Sequence, residues 1–383
     1  MLHSLEQNPK LGYYTVGTNA TPIYNKLDAL AIAEKTGAVV NWNFNSHAFG
    51  SLDWTKEPET DIDTFYRIRA QQLRDRYDYL ILNYSGGVDS TNVLYSFLKN
   101  GIHLDEVVVR HPESALRDVN IHTDSSGAAN TISEYEYAVK PRLQWIRDNY
   151  PNVKITVHDY FDSMVNEEID ESWIYLARDF FHPGLIKRYS NLGLRSMLDL
   201  YDKGKTVGII FGIDKPRLYF DHTSDKYFSY FLDIVANTAI SENGQYSNIA
   251  TEFFYWTPDL PEMVVKQAHM LKKWYTANPQ YRSLIELYKP IVGDSLAFVE
   301  RSIVAPIVYP STPNVFQCDK PFNSIFSEHD AWFFEHHIDS KPGQVWRSGV
   351  NELLNNFSKH IRFNPNGSPA GVKLFWSKLY SLQ

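Results

Sequence analysis

Six consecutive residues, Ser85-Gly86-Gly87-Val88-Asp89-Ser90, carry the most specific chemistry in this chain. Two adjacent glycines permit a tight turn and let the backbone approach a ligand closely. The run lies directly after an apolar strand and directly before a helix, so its amides point outward and the helix dipole adds to them. Such a turn suits an anion, a pyrophosphate group in particular. Ser85 and Ser90 add hydroxyl donors, and Asp89 is the kind of hard carboxylate that holds a magnesium ion bridging phosphate oxygens. A second run, Phe211-Gly212-Ile213-Asp214-Lys215-Pro216-Arg217, also follows an apolar strand. Asp214, Lys215 and Arg217 crowd the carboxyl end of that strand, the edge at which open parallel sheets bind ligands. Lys215 or Arg217 is suited to neutralising charge that develops on phosphates.

The elements that must position these residues read as alternating strand and helix. Short apolar strands are expected at 79–84, 106–110, 153–158 and 206–211, with helices at 91–100 and about 134–149 between them. That alternation predicts parallel βαβ units and an α/β fold, a doubly wound, mostly parallel sheet, over about 77–220. Residues 1–76 read as an N-terminal α/β extension: strands near 12–18 and 39–44, a helix at 25–37 stopped by Gly37, and an amphipathic helix at 61–76. Residues 221–383 read as a mainly helical region, with helices at 262–289 and 345–360, that shapes a substrate cleft.

Composition narrows the classes. At about 150 residues per domain, 383 residues suggest two to three domains, or one large domain with additions. A hydrophobic fraction of 43% and a charged fraction of 21% are globular values. The net charge of −8 does not favour a nucleic-acid-binding surface. The single cysteine, Cys318, excludes an intramolecular disulfide and a four-thiolate metal site built from one chain. The first residues lack a signal-peptide pattern, and no run approaches about 18 uninterrupted apolar residues. A cytoplasmic protein with no membrane association is expected, and a homo-oligomer is allowed.

The string SGGVDS, with strand LILNY before it and helix TNVLYSFLKNG after it, resembles the PP-loop of the N-type ATP pyrophosphatases, or adenine nucleotide alpha-hydrolases. That group includes GMP synthetase, asparagine synthetase, tRNA-lysidine synthetase and phosphoadenosine-phosphosulfate reductase. The resemblance covers about 77–220 and implies their HUP-type α/β fold. It implies that ATP is cleaved between its α- and β-phosphates, that an acceptor oxygen is adenylated, and that a nucleophile then displaces AMP. Ser85, Gly86, Gly87, Val88, Asp89 and Ser90 would cradle the pyrophosphate, Asp89 would help hold Mg²⁺, and Val109 and Arg110 would lie at the adenine site. The 211–217 segment resembles, more loosely, the post-strand segment of the phosphosulfate reductase branch. This gives Lys215 and Arg217 a catalytic role and Asp214 a nucleotide-binding one.

In that branch a basic segment contacts the anionic substrate, which Lys187, Arg188 and Arg195 would do here. Departures are informative. Cys318 lies in PNVFQCDKPF, unlike the reductases' cysteine-bearing tail, so reduction is not expected and Cys318 reads as a buried residue. No catalytic cysteine follows Met1, so a built-in glutaminase is not expected either. His329, His336 and His337 look metal-like but lack a ligand-spacing motif. Gly204-Lys205-Thr206 imitates the end of a Walker A sequence but precedes a strand. The aromatic excess reads mainly as core packing. An adenylating ligase or transferase using ATP and Mg²⁺, with a small-molecule or modified-nucleotide acceptor, is therefore expected. The alternatives are a non-reductive relative of phosphosulfate reductase and a nucleotide-binding protein without turnover.

Overall fold

Near the N-terminus, β1 (Tyr13–Val16) pairs antiparallel with both β2 (Asn19–Ile23) and β3 (Val40–Asn43). Helix α1 (Lys26–Thr36) lies between β2 and β3 in the chain. Asn25 caps it, accepting from the amides of Leu27 and Asp28, and Gly37 ends it in a left-handed conformation that a side chain would disfavour. A short helix α2 (Ser46–Gly50) and the longer α3 (Ile62–Arg76) follow, the latter capped by Asp61. The computed structural model describes residues 6–117, 119–120, 132–159, 195–233, 246–285, 287, 303–312, 339–363 and 369–383.

The centre of the molecule is a five-stranded sheet. It is built from β4 (Tyr79–Asn83), β5 (Glu106–Arg110), β6 (Lys154–His158), β7 (Val207–Phe211) and, after the antiparallel pair β8 (Arg217–Asp221) and β9 (Lys226–Tyr230), β10 (Ile249–Phe253). Its order is β10-β7-β4-β5-β6, with every neighbour parallel. Helices cover both faces. On one, Leu80, Leu82, Val107, Val109 and Ile210 join a core with Phe65, Leu73, Val93 and Phe97. On the other, Ile81, Val108, Val207 and Ile209 pack with Met197 of the helix Arg195–Asp202. Burial on both faces explains why these strands read as continuous apolar runs. The α/β parallel-sheet class expected from the sequence is the one observed.

Three differences bear on function. Helix α4 (Val88–Leu98) starts inside the glycine-rich run, three residues earlier than its apolar periodicity indicates. Gly87 is its N-cap in an extended conformation, and its carbonyl accepts from the Thr91 amide at 3.0 Å. The polar Asp89 and Ser90 hide this first turn from a periodicity reading. Next, the edge strand β10 comes from 249–253, past the 77–220 span expected for the sheet unit. Finally, the region after 221 contributes strands as well as helices. Besides the helices Glu262–Ala277 and Lys341–Phe357, it holds β11 (Ile361–Phe363), β12 (Pro369–Val372) and β13 (Tyr380–Ser381), and β13 closes onto β9. One contiguous core runs from Leu11 to Leu382.

Candidate functional site

From β4 the chain steps to β5 and β6 on one side, then returns to β7 on the other. The order reverses between β4 and β7, and in open parallel sheets a crevice for ligands lies outside the carboxyl ends at such a point. Both runs singled out in the sequence emerge there. Ser85–Ser90 leaves β4, and Gly212–Arg217 leaves β7.

The loop is held by its own side chains. The Ser85 and Ser90 hydroxyls lie 3.2 Å apart, Ser90 Oγ donates to the Gly87 carbonyl at 3.1 Å, and the Gly87 amide donates to Ser85 Oγ at 3.3 Å. Gly86 has φ of 79°, and a β-carbon there would lie 2.7 Å from Val139 Cγ2, so glycine is required twice over. No side chain caps α4 at Gly87. Its first-turn amides are therefore available to an anion at the positive end of the helix dipole.

Asp89 links the loop to the β7 segment. Lys215 Nζ donates to Asp89 Oδ1 at 2.6 Å and lies 3.9 Å from Asp214 Oδ1, while Arg217 Nη2 donates to Asp214 Oδ2 at 3.0 Å. Gly212 makes the approach possible: a β-carbon there would lie 3.1 Å from the Asp89 carbonyl carbon and 3.2 Å from the Ser90 amide nitrogen. The Asp89 side chain keeps 28% of its surface exposed against 10% for Lys215, so this ion pair opens to solvent on the carboxylate side.

Two tyrosines complete the surroundings of Asp89. Tyr309 donates to Asp89 Oδ1 at 2.7 Å, and Tyr255 donates to the Asp89 carbonyl at 2.9 Å while accepting from Asn92 Nδ2 at 3.0 Å. Tyr255 is aimed by the chain after β10, where the amides of Tyr255 and Trp256 both donate to the Ile213 carbonyl at 3.0 Å. Burial, followed by the charge of Asp89 for Tyr309 and by Tyr66 for Tyr255, pushes both phenols well above their ordinary range. Both stay protonated donors. Sequence reading missed them: they lie 166 and 220 residues from Asp89, in a chain with 25 tyrosines, and no local pattern marks them.

At the end of β5, Val109 points into the core, and Arg110 Nε donates to Asn83 Oδ1 at 2.9 Å. Asn83 Nδ2 is buried and has no hydrogen-bond partner among the described residues. After Arg110 in the chain, the His111 ring stacks on that of Tyr135 at 4.1 Å. Lys187 and Arg188 lie outside the described residues, as do Cys318, His329, His336 and His337. Arg195 begins a helix, but its side chain also lies outside them. Among the described residues no three His, Cys, Asp or Glu side chains gather in a way that could hold a metal ion. A magnesium ion at Asp89 would take most of its ligands from phosphates and water, the usual arrangement for this ion.

No helix of the described residues is long and apolar enough to cross a membrane. No protein-family model matches the chain, and no curated protein matches it.

Proposed function

We propose that the crevice between β4 and β7 binds ATP through its phosphates, and that the chain is a PP-loop enzyme cleaving ATP to AMP and pyrophosphate. The observation that carries this reading is the meeting of Ser85–Ser90 with Lys215 across the reversal in strand order, closed by the 2.6 Å contact to Asp89. Uncapped amides of α4 and the Ser85 and Ser90 hydroxyls serve the leaving pyrophosphate. Lys215 and Arg217 are assigned to the charge that grows as the α–β bond breaks, on which preorganised donors act most strongly. Asp89 would be the protein ligand of Mg²⁺, which would supply charge neutralisation. Val109 and Arg110 border the adenine. In this reading the acceptor brings its own attacking group. Adenylation of an acceptor oxygen, followed by its displacement by an amine or another nucleophile, is the reaction class that fits.

Calorimetry with ATP and with inorganic pyrophosphate tests the site, and ATP–pyrophosphate exchange with candidate acceptors tests the chemistry. Binding of both ligands by the wild type and its loss in Gly87→Val, with an unchanged denaturation midpoint, is the expected result. A wild-type chain that binds neither ligand overturns the reading. Preference for phosphoadenosine phosphosulfate over ATP transfers the site to sulfonucleotide chemistry.

A further inference from the structure

We propose that Tyr309 is a positioning residue for the loop aspartate: its hydroxyl holds the Asp89 carboxylate in place when Lys215 turns from that carboxylate toward bound phosphates. The inference rests on the reading of Ser85–Ser90 as a pyrophosphate site. It concerns a residue that lies far outside the loop and outside the parallel sheet.

Asp89 Oδ1 accepts two hydrogen bonds, from Lys215 Nζ at 2.6 Å and from Tyr309 Oη at 2.7 Å. The two donors differ in kind. Lys215 is a point charge on a flexible four-carbon stem, free to exchange one anion for another. Tyr309 is rigid and fully buried. Its ring lies 5.2 Å from the Tyr255 ring and 6.0 Å from the Tyr66 ring.

The short segment around Tyr309 is pinned to both helices that flank the loop. Tyr66 of α3 donates to the Val308 carbonyl at 2.5 Å. Ser311 Oγ donates to Asp63 at 2.6 Å, and Thr312 Oγ1 donates to Asn92 of α4 at 2.8 Å. A hydroxyl held in this way cannot follow an arriving ligand. It stays on the carboxylate.

That fixity matters when phosphate arrives. An incoming polyanion draws the Lys215 ammonium and repels the Asp89 carboxylate. Without a second donor, Asp89 would lose its polar partner as the repulsion sets in, and its rotamer would be free to leave the metal-binding orientation. A neutral phenol keeps a hydrogen bond to the carboxylate and adds no cation to compete with Mg²⁺.

The test is pyrophosphate binding by calorimetry at fixed magnesium, for the wild type, Tyr309→Phe, Asp89→Asn and the double variant. A hydrogen bond to a charged group is worth about 1.5–3 kcal/mol, so Tyr309→Phe should weaken pyrophosphate about tenfold or more. In the Asp89→Asn background the same change should cost less than about twofold, because the group Tyr309 acts through has gone. Equal losses in both backgrounds would mean that Tyr309 only supports the fold, and would overturn the proposal. Wild-type affinity in Tyr309→Phe would overturn it too, leaving the loop reading intact. Absence of pyrophosphate binding by the wild type would take down both.

A second measurement does not depend on the Tyr309→Phe variant folding. In protein carrying ¹³Cζ-labelled tyrosine, one resonance of the wild type should move in Asp89→Asn and hold its position when pyrophosphate is added. A spectrum in which no tyrosine resonance answers to Asp89→Asn would show that the phenol does not hold the carboxylate.

Discussion

Glu252 on β10 and Asp89 just past β4 are both carboxylates flanked by cations, and they are built for different ends. Glu252 accepts from Arg69 Nη2 at 2.8 Å, Arg76 Nη1 at 2.9 Å and Tyr77 Oη at 2.6 Å. Asp259 beside it binds Arg76 at 2.6 Å and Lys10 at 2.9 Å. Arg69 has no exposed surface, and it also donates to the Phe253 carbonyl. Burial pushes the Glu252 carboxyl up, but the Arg69 charge, the Tyr77 hydrogen bond and Lys10 outweigh it and leave the group below its ordinary value. Every charge here is committed to a fixed partner, and the partners tie α3, the N-terminal segment and the sheet edge together. Asp89 has one cation, a fixed phenol and a solvent-facing side, next to helix amides that no side chain caps. A closed network holds elements together, whereas an open one of similar composition is equipped to take a ligand.

The largest effect should come from breaking the closed cluster. Arg69→Met leaves Glu252 deeply buried with its best partner removed. Loss of one member of a buried pair typically costs about 3–5 kcal/mol. Urea denaturation should show a loss of that order, with the proposed site at Asp89 unaltered in any molecules still folded. A loss below about 1 kcal/mol would mean that Arg76 and Lys10 alone can neutralise Glu252, and would erase the contrast drawn between the two clusters.

Lys215→Met makes the opposite cut. Asp89 keeps Tyr309 and its access to water, so the denaturation midpoint should change little. The rate of ATP cleavage should fall by about 10²–10³, roughly 2.7–4 kcal/mol in the barrier, with a smaller change in ATP affinity. Arg217→Met should act in the same direction. Pro216 fixes a backbone angle between the two cations, so neither readily replaces the other. A variant that loses stability and keeps its rate would place Lys215 with the closed cluster.

How far the sequence reveals this contrast depends on where each signal lies. Ser85–Ser90 is legible because two glycines, two serines and an aspartate fall within six residues, between an apolar strand and a helix. Lys215 and Arg217 are legible because they follow an apolar strand. The partners that distinguish the two clusters are not. Arg69 is one of the arginines that populate the amphipathic helix at 61–76, and its contacts to Glu252, the Phe253 carbonyl and Asp259, 183 to 190 residues away, account for its burial. Strand β10, Ile-Ala-Thr-Glu-Phe, is interrupted by Thr251 and Glu252, so neither apolar continuity nor a turn signal marks it. Both polar residues are nevertheless buried. The two tyrosines on Asp89 are hidden for the same reason: long-range hydrogen bonds leave no periodic trace.

Gly212→Ala sharpens the comparison by a smaller step. The added carbon would press on the backbone of Asp89 and Ser90, at 3.1–3.3 Å from three of its atoms. Backbone in the first turn of a helix yields poorly, and overpacking of this kind costs about 1–3 kcal/mol. The displacement should fall on the link between Lys215 and Asp89. Pyrophosphate affinity should therefore drop while the Arg69–Glu252 contacts persist, as hydrogen–deuterium exchange of the β10 amides can verify. Uniformly faster exchange across the sheet would show instead that Gly212 serves the fold.

The smallest expected effect is a pH dependence belonging to the closed cluster. Burial would raise the Asp259 carboxyl, but hydrogen bonds from Arg76 and Lys10 outweigh it and bring the group down from 3.8 to about 2. A carboxyl depressed in the folded state contributes stability above its unfolded value, and that contribution is lost as pH falls through the folded value. Asp259 should thus stabilise the protein fully above about pH 4 and cease to do so by about pH 2. One-fifth of its side chain is exposed, so water screens the interaction and the contribution should be near 1 kcal/mol. Urea denaturation of the wild type and Asp259→Asn at pH 7, 4 and 3 measures it directly. The gap between the two should be widest at pH 7, remain nearly full at pH 4 and shrink at pH 3. A gap that stays constant over that range would mean that Asp259 acts through the shape of its hydrogen bonds alone. Its charge would then not be committed to Arg76 and Lys10, and the closed cluster would depend on Glu252 alone.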